Sequence, residues 1–404
     1  MAFIGEGLFE FGMLYIKPIA FTVVYSIPII DSITRPDIAM KRISRFEQRQ
    51  VPHDGGEIVM QELGRLEDLP EEYRAALTEQ NLVPLWPSLR AMLPPGKPVP
   101  RTRPTYWPYQ GLRPLLLQAG ELTPIEKAER RVLVLANPGH GLEKMQASST
   151  IYLGMQLLLP GEWAPAHRHT PNAVRMIVEG EGAYTTVDGE KCLMSRGDLI
   201  LTPTGLWHEH GHDGEKPVIW LDVLDLPMMY YMEASYVTEG KPQTVTGEDA
   251  GQAYQRGGVV PAPMFTRADK PFPMLRYPWV DVRKALETLA ASQPDIDAVQ
   301  VVYVNPETGS DCQKILGYSA LMLRPGERLA LPVRSTAMVF HQIEGAVDVI
   351  LEDHQFCLLD ADTCCIPGYA PVVLSNRSAE LPAFVFIVDD APLQKKLGVY
   401  EVRN

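Results

Sequence analysis

Nine histidines occur in 404 residues, and five of them fall between positions 167 and 212. His167-Arg168-His169 sets two imidazoles two residues apart. On a β-strand such residues share one face, so both rings can reach a single point. Some 40 residues later comes Trp207-His208-Glu209-His210-Gly211-His212. Three neutral imidazoles converging on one point make a site for Fe, Zn, Cu, Ni or Mn. A lone His-x-His is equally compatible with half-buried histidines on a hairpin, so the surrounding elements decide what these rings do.

Composition bounds those elements. Hydrophobic residues are 46% and charged residues 22%, the mixture of a globular protein. The length suggests two or three domains. The net charge of −13 disfavours a nucleic-acid or anionic-membrane partner. Five cysteines, at 192, 312, 357, 364 and 365, make no even framework and no pair of zinc pairs. Reduced thiols in a cytoplasm are the simplest reading. Residues 1–30 are apolar, but acidic residues precede the run and its 13 uncharged residues from 18 to 30 fall short of a membrane span. A packed arm, an oligomer contact or a translation start placed too early would each explain the segment.

Along the chain, residues 68–93 have helical spacing, with Pro70, Glu71 and Glu72 in the first turn. The prolines of 94–114 predict an extended connection. Thr123-Pro124-Ile125-Glu126 reads as a capping box opening a short helix. From about 131 to 226 short β-branched and aromatic runs alternate with turn residues, as at 151–159, 174–179, 183–188 and 198–202. This close spacing predicts an antiparallel sandwich or barrel. Residues 240–275 read as a linker and Asp281–Ser292 as a helix, before a second strand-rich block from about 298 to 390. The resulting division is an unassigned arm over 1–67, a helical and extended lead-in over 68–130, and a first β domain over 131–240. A linker and helix over 241–296 and a second β domain over 297–395 complete it.

The two blocks look like copies. Pro160-Gly161-Glu162 matches Pro325-Gly326-Glu327, and Glu179-Gly180 matches Glu344-Gly345, both at an offset of 165. Gly161, five residues, His167-x-His169 and a later Gly180 resemble the first motif of the cupin superfamily. Gly197, five residues, Pro203-x-Gly205, two residues and His208 resemble the second. Where a cupin commonly has a glutamate after the second histidine, this sequence has Ala173 or Val174. The resemblance therefore implies a three-histidine face of His167, His169 and His208. The second copy carries Pro332, Arg334 and Val372 at those positions, which implies one metal per chain. The fold so implied is all-β-dominated: a bicupin of two double-stranded β-helix (jelly-roll) barrels with a few peripheral helices.

Over roughly residues 68–395 the sequence resembles the gentisate 1,2-dioxygenase family. The stretches include Pro84-Leu-Trp86, Glu129-Arg-Arg-Val-Leu-Val-Leu-Ala-Asn-Pro-Gly139, Ala164-Pro-Ala-His-Arg-His-Thr170, Val178-Glu-Gly-Glu-Gly182, Trp220-Leu-Asp222, Tyr277-Pro-Trp279 and Tyr303-Val-Asn-Pro306. The resemblance implies Fe(II), one per chain, and opening of gentisate by O2 to maleylpyruvate, in the degradation of aromatic compounds. Salicylate or 1-hydroxy-2-naphthoate cleavage is the alternative within the family. A non-redox metal cupin isomerase and a ligand-binding or storage bicupin are the alternatives outside it. By position, the resemblance assigns Arg130 and Arg175 to the substrate carboxylate and Gln156 to a pocket amide. Tyr152 shares the strand face of Gln156 and would line the ring. His210 would hydrogen-bond O2 or the phenolic oxygen, and Asp222 would orient a ligand or meet a ring hydroxyl. Arg175→Ala is expected to raise KM for carboxylated substrates far more than it disturbs stability. A homodimer or homotetramer is the assembly the resemblance implies, with a small aromatic carboxylate and O2 as the only other partners.

Overall fold

The computed structural model describes residues 62–248, 250–255, 259–262 and 272–403, so the apolar run of 1–30 lies outside the described residues. The chain divides at Pro70 into two units. The first contributes only a 3₁₀ turn, Leu66–Asp68, to the described residues.

The second unit begins with α1 (Glu71–Glu79), α2 (Leu89–Met92), β1 (Thr105–Trp107), α3 (Tyr109–Leu122) and α4 (Ile125–Ala128). The strands of the first block come next: β2 (Arg131–Val134), β3 (Tyr152–Leu158), β4 (Trp163–His169), β5 (Ala173–Glu179), β6 (Ala183–Val187), β7 (Glu190–Leu193), β8 (Leu199–Thr202), β9 (His208–His212) and β10 (Val218–Leu224). Then come α5 (Leu226–Tyr231), β11 (Val237–Glu239), β12 (Gly247–Glu248), β13 (Arg276–Tyr277) and α6 (Trp279–Ser292). The second block is β14 (Val299–Val302), β15 (Gly317–Leu323), β16 (Arg328–Leu331), β17 (Val333–Arg334), β18 (Met338–Glu344), β19 (Val347–Ile350), β20 (Gln355–Leu358), β21 (Thr363–Ile366), β22 (Val372–Asn376) and β23 (Ala383–Asp389), closed by α7 (Ala391–Leu397) and β24 (Val402–Arg403).

Two β barrels result. The first packs the sheet β13-β8-β5-β10-β3-β2 against β11-β4-β9-β6-β7-β12; the second packs β1-β21-β18-β23-β15-β14 against β16-β22-β19-β20. The fold is the all-β bicupin expected. Alternation on the strands separates two environments. Leu153, Met155 and Leu157 of β3 face outward and join Tyr318, Ala320, Phe384 and Phe386 of the other barrel in one continuous core. Tyr152, Gly154 and Gln156, the alternate residues, face into the first barrel. The second barrel's interior is apolar instead, filled by Leu321, Phe340, Val349, Leu374, Val385 and Ile387.

The repeat is visible atom by atom. Gly161 and Gly326 both take positive φ (+76° and +67°), as the tight turn requires. Glu162 accepts the Leu159 N–H at 2.7 Å and Glu327 accepts the Arg324 N–H at 2.6 Å. The two copies are also interlocked. β1 precedes the helix that packs on the first barrel, yet it pairs with β21 of the second. β13 precedes the helix that packs on the second barrel, yet it pairs with β8 of the first. The helix ends repeat the exchange: Tyr109 N–H donates to Asp362 at 2.7 Å, and Trp279 N–H donates to Asp198 at 2.8 Å. Tyr109 Oη and Trp279 Nε1 then donate to Glu179 and Glu344, each at 2.7 Å.

Three local expectations fail. The helix predicted over 68–93 is broken: α1 stops before Asn81, at φ +55°, and Pro84 and Pro87 confine the rest of that stretch to a 3₁₀ turn and α2. The extended connection predicted to 114 ends at Pro108, because α3 runs through Pro114. One lost hydrogen bond is tolerated where the helix start is tied to Asp362 and Leu116 is fully buried. The capping box does not form. Thr123 already closes α3 through Ala119, leaving Pro124 as the N-cap of α4.

Candidate metal centre and substrate cavity

β4 and β9 lie side by side with His167 opposite His208, and β4 carries a one-residue bulge between Ala164 and His167. Pro165, which has no N–H to donate to a ladder, occupies that bulge and re-aims the residues after it. The rings of His167, His169 and His208 come together, with centroids 4.1, 4.7 and 5.6 Å apart. One nitrogen from each lies within 4.8 Å of the others.

The backbone fixes which nitrogen that is. His167 Nδ1 donates to the Pro165 carbonyl at 3.0 Å, His169 Nδ1 to Pro171 at 2.7 Å, and His208 Nδ1 to Leu206 at 3.1 Å. A carbonyl only accepts, so each Nδ1 carries the proton and each Nε2 presents a lone pair. Burial pushes His167 down to about 3, His169 to about 4 and His208 well below its ordinary value. All three rings are therefore neutral at neutral pH. His208 Nε2 is buried with no partner among the described residues. Such an orphan costs free energy unless something accepts its lone pair. Three pre-aimed neutral imidazoles fit a divalent transition metal.

The face opens onto a cavity of about 310 Å³. His167, His169, Arg130, Arg175, Gln156, Tyr152 and Asp222 all line it, so the structure brings together seven of the nine residues singled out in the sequence. His208 is fully buried behind them. His210 does not line the cavity. Its Nδ1 meets Thr185 Oγ1 at 3.0 Å, its ring lies 5.4 Å from that of Trp220, and its buried Nε2 has no partner among the described residues. Of the two positions weighed for a fourth, carboxylate ligand, Ala173 lines the cavity and Val174 is buried in the core.

Register explains the polar wall. Asp222 on β10 sits opposite Arg175 on β5 and Gly154 on β3. Arg175 Nε lies 3.2 Å from Asp222 Oδ1, and its Nη1 donates to Thr202 Oγ1 at 2.7 Å. Burial pushes the Asp222 carboxyl up to about 6, against the pull of Arg175. The pair overturns the expectation for Arg175→Ala, since removing the arginine would strand a buried carboxylate. Glu179, at the far end of β5, is taken by Tyr109 and Arg113. Arg130 is the freer cation, with only a loose 3.6 Å approach to the exposed Glu129. Sequence reasoning missed Thr202 and the Ser235–Val237 lip. Parity on β8 would have found the first. The lip is held by Thr170 N–H donating to Tyr236 O at 3.1 Å and by β11 pairing with β4, which no motif announces.

A cupin-domain family matches residues 154–224. A gentisate 1,2-dioxygenase of a Ralstonia species is 70% identical over 343 residues, 85% of this chain and 97% of the relative. The chain belongs to the gentisate 1,2-dioxygenase family. Within this family, a gentisate dioxygenase of Aquipseudomonas alcaligenes is 36% identical, over 83% of this chain and 96% of the relative. A crystal structure of salicylate 1,2-dioxygenase from Pseudoaminobacter salicylatoxidans, as an adduct with gentisate, superposes with a TM-score of 0.76 at 30% identity, covering 88% of this chain and 98% of that one. The members share the ring-cleaving dioxygenase activity that incorporates both atoms of O2, and the two-barrel chain described here is built on the same plan.

Proposed function

We propose that this chain is an Fe(II)-dependent gentisate 1,2-dioxygenase that opens 2,5-dihydroxybenzoate with O2, between the carboxyl- and hydroxyl-bearing carbons, to maleylpyruvate. One observation carries the reading: His167, His169, Arg130 and Arg175 line a single cavity in which, among the described residues, Asp222 is the one carboxylate. The cavity is thus short of negative charge, and an aromatic carboxylate with an ionisable ortho hydroxyl supplies it. The 70% identity to a gentisate dioxygenase favours gentisate over salicylate or 1-hydroxy-2-naphthoate.

Bound iron would be held by His167, His169 and His208. It would supply the path for electrons between an electron-rich ring and dioxygen, which acid–base side chains lack. The protein's own groups do the rest. Arg130 and Arg175 fork onto the substrate carboxylate and set the ring's orientation. Asp222 keeps part of the Arg175 charge satisfied before substrate arrives, and, once ionised, accepts a proton from a ring hydroxyl. Tyr152 and Val132 flank the ring, and Gln156, whose Nε2 is buried with no partner among the described residues, donates to a ring oxygen. His210 is assigned no contact with substrate.

Among the described residues no two cysteines are joined in a disulfide, which supports a cytoplasmic setting. Among the described residues no helix is long and apolar enough to cross a membrane. The assembly read from the family resemblance, two or four copies, is measured by sedimentation. The deciding experiment loads the purified protein anaerobically with Fe(II), adds gentisate, then admits O2. Stoichiometric O2 uptake with appearance of a ring-opened keto acid is expected, and loading with Zn or Mn should give none. Absence of uptake with every hydroxybenzoate would return the protein to the non-redox metal cupins.

A further inference from the structure

The chain reverses between α4 and β2 at a single residue, Glu129. Its N–H closes α4 onto the Ile125 carbonyl at 2.7 Å, and the next N–H, of Arg130, turns back onto the carbonyl of Ala128. This three-residue reversal holds Glu129 at φ +52°, ψ −47°. A residue with a β-carbon avoids that backbone region, and it persists only where neighbours over-determine it.

The neighbours do so from both sides. Upstream, Ile125 is buried in the core. Downstream, Arg131 is buried, bonded to the Gly120 carbonyl and paired with Glu162, and it opens a strand whose register is set opposite Leu157. No residues remain to spread the turn. Its placement decides which side chain faces inward. Arg130 and Val132, of one parity, line the cavity, while Arg131 points away. A slip of one residue would exchange the two arginines. The Glu129 side chain is 63% exposed and reaches Arg130 only at 3.6 Å, beyond hydrogen-bond range, so neither packing nor a hydrogen bond accounts for the strained backbone.

We infer that Glu129 is a positioning residue whose strained backbone turn aims Arg130 at the substrate carboxylate. The inference rests on the reading of Arg130 as a carboxylate anchor. Iron-loaded enzyme is compared as parent, Glu129→Val, Glu129→Gly, Glu129→Gln, Arg130→Ala and the double Glu129→Val/Arg130→Ala. The readouts are KM and kcat for gentisate, anaerobic gentisate Kd by intrinsic fluorescence, and Tm.

Valine, β-branched, resists positive φ, and should raise KM and Kd about tenfold or more with kcat within about twofold, as loss of a charge-assisted hydrogen bond would. Arg130→Ala should match it, and the double variant should be no worse than either single. Glutamine should keep the parent KM. Glycine, which adopts the turn freely, should keep the parent KM and raise Tm. A parent-like KM for Glu129→Val, additive effects in the double variant, or glutamine as damaging as valine would each overturn the inference. If Glu129→Val does not fold, a Tm for Glu129→Gly below the parent overturns it alone. If Arg130→Ala itself leaves KM and Kd unchanged, the reading of Arg130 as anchor fails, and the inference falls with it.

Discussion

Three hydrogen bonds from Nδ1 atoms to backbone carbonyls decide what His167, His169 and His208 can do, because they leave every Nε2 unprotonated and aimed inward. His208→Ala should therefore abolish metal retention, read by metal content after gel filtration, while circular dichroism stays that of the parent; full retention would remove His208 from the site. The Arg175–Asp222 pair gives a second prediction. Arg175→Ala should raise the KM for gentisate and also cost about 3–5 kcal/mol of stability by stranding a buried carboxylate. Arg175→Ala/Asp222→Asn should recover much of that stability in denaturant titration, and no recovery would show that the two do not act as a pair. The histidines were legible in the sequence because their meaning lies in local spacing. The pairing of Arg175 with Asp222 was not, because residues 47 positions apart meet only through cross-strand register. The missing carboxylate was legible as an absence at Ala173 or Val174, and of the two Ala173 lines the cavity.

At the scale of elements, strands were read more successfully than helices. Alternation and turn glycines gave β3, β5, β6 and β8 to within a residue or two at either end. The broken helix after Glu79 and the continued one through Pro114 depended on contacts that sequence does not display, above all the seat that Asp362 offers to Tyr109. The second barrel shows the same elements carrying different chemistry. His341 on β18, on the strand face opposite to that of Phe340, is buried with Nδ1 against Thr363 Oγ1 at 2.9 Å, and burial pushes it down to about 3. A folded value below the unfolded one of about 6.5 means that stability present above pH 6.5 is lost as pH falls toward 3. His341→Gln should make the stability of the metal-free protein decline less steeply between about pH 6.5 and 4.5, by up to about 1.4 kcal/mol per pH unit. Equal slopes in parent and variant would show that folding does not depress the His341 pKa.

For the whole molecule, the exchanged strands and helix seats tie the barrels into one body. Asp198 accepts from Trp279 N–H, Ser195 N–H and Arg276, and Asp362 accepts from Tyr109 N–H, Tyr106 Oη and Leu359 N–H. Calorimetry of the metal-free protein should show one transition covering both barrels, shifted down as a whole by Asp198→Ala or Asp362→Ala; two separated peaks would mean that the barrels melt independently. The repeat was legible from glycine and glutamate offsets, but its crossing was not. Offsets align one copy with the other and say nothing of which strand pairs with which.

That crossing has a consequence for dissection. A polypeptide cut between the copies would give each piece an arm with no groove to receive it and an open sheet margin with no neighbour. Each piece would complete the other, or a twin of itself, in the manner of a handshake. The half that lacks the histidine triad is therefore a structural guarantor of the half that carries it, holding the margin of the sheet in which β5 and β8 set Arg175 and Thr202 in place.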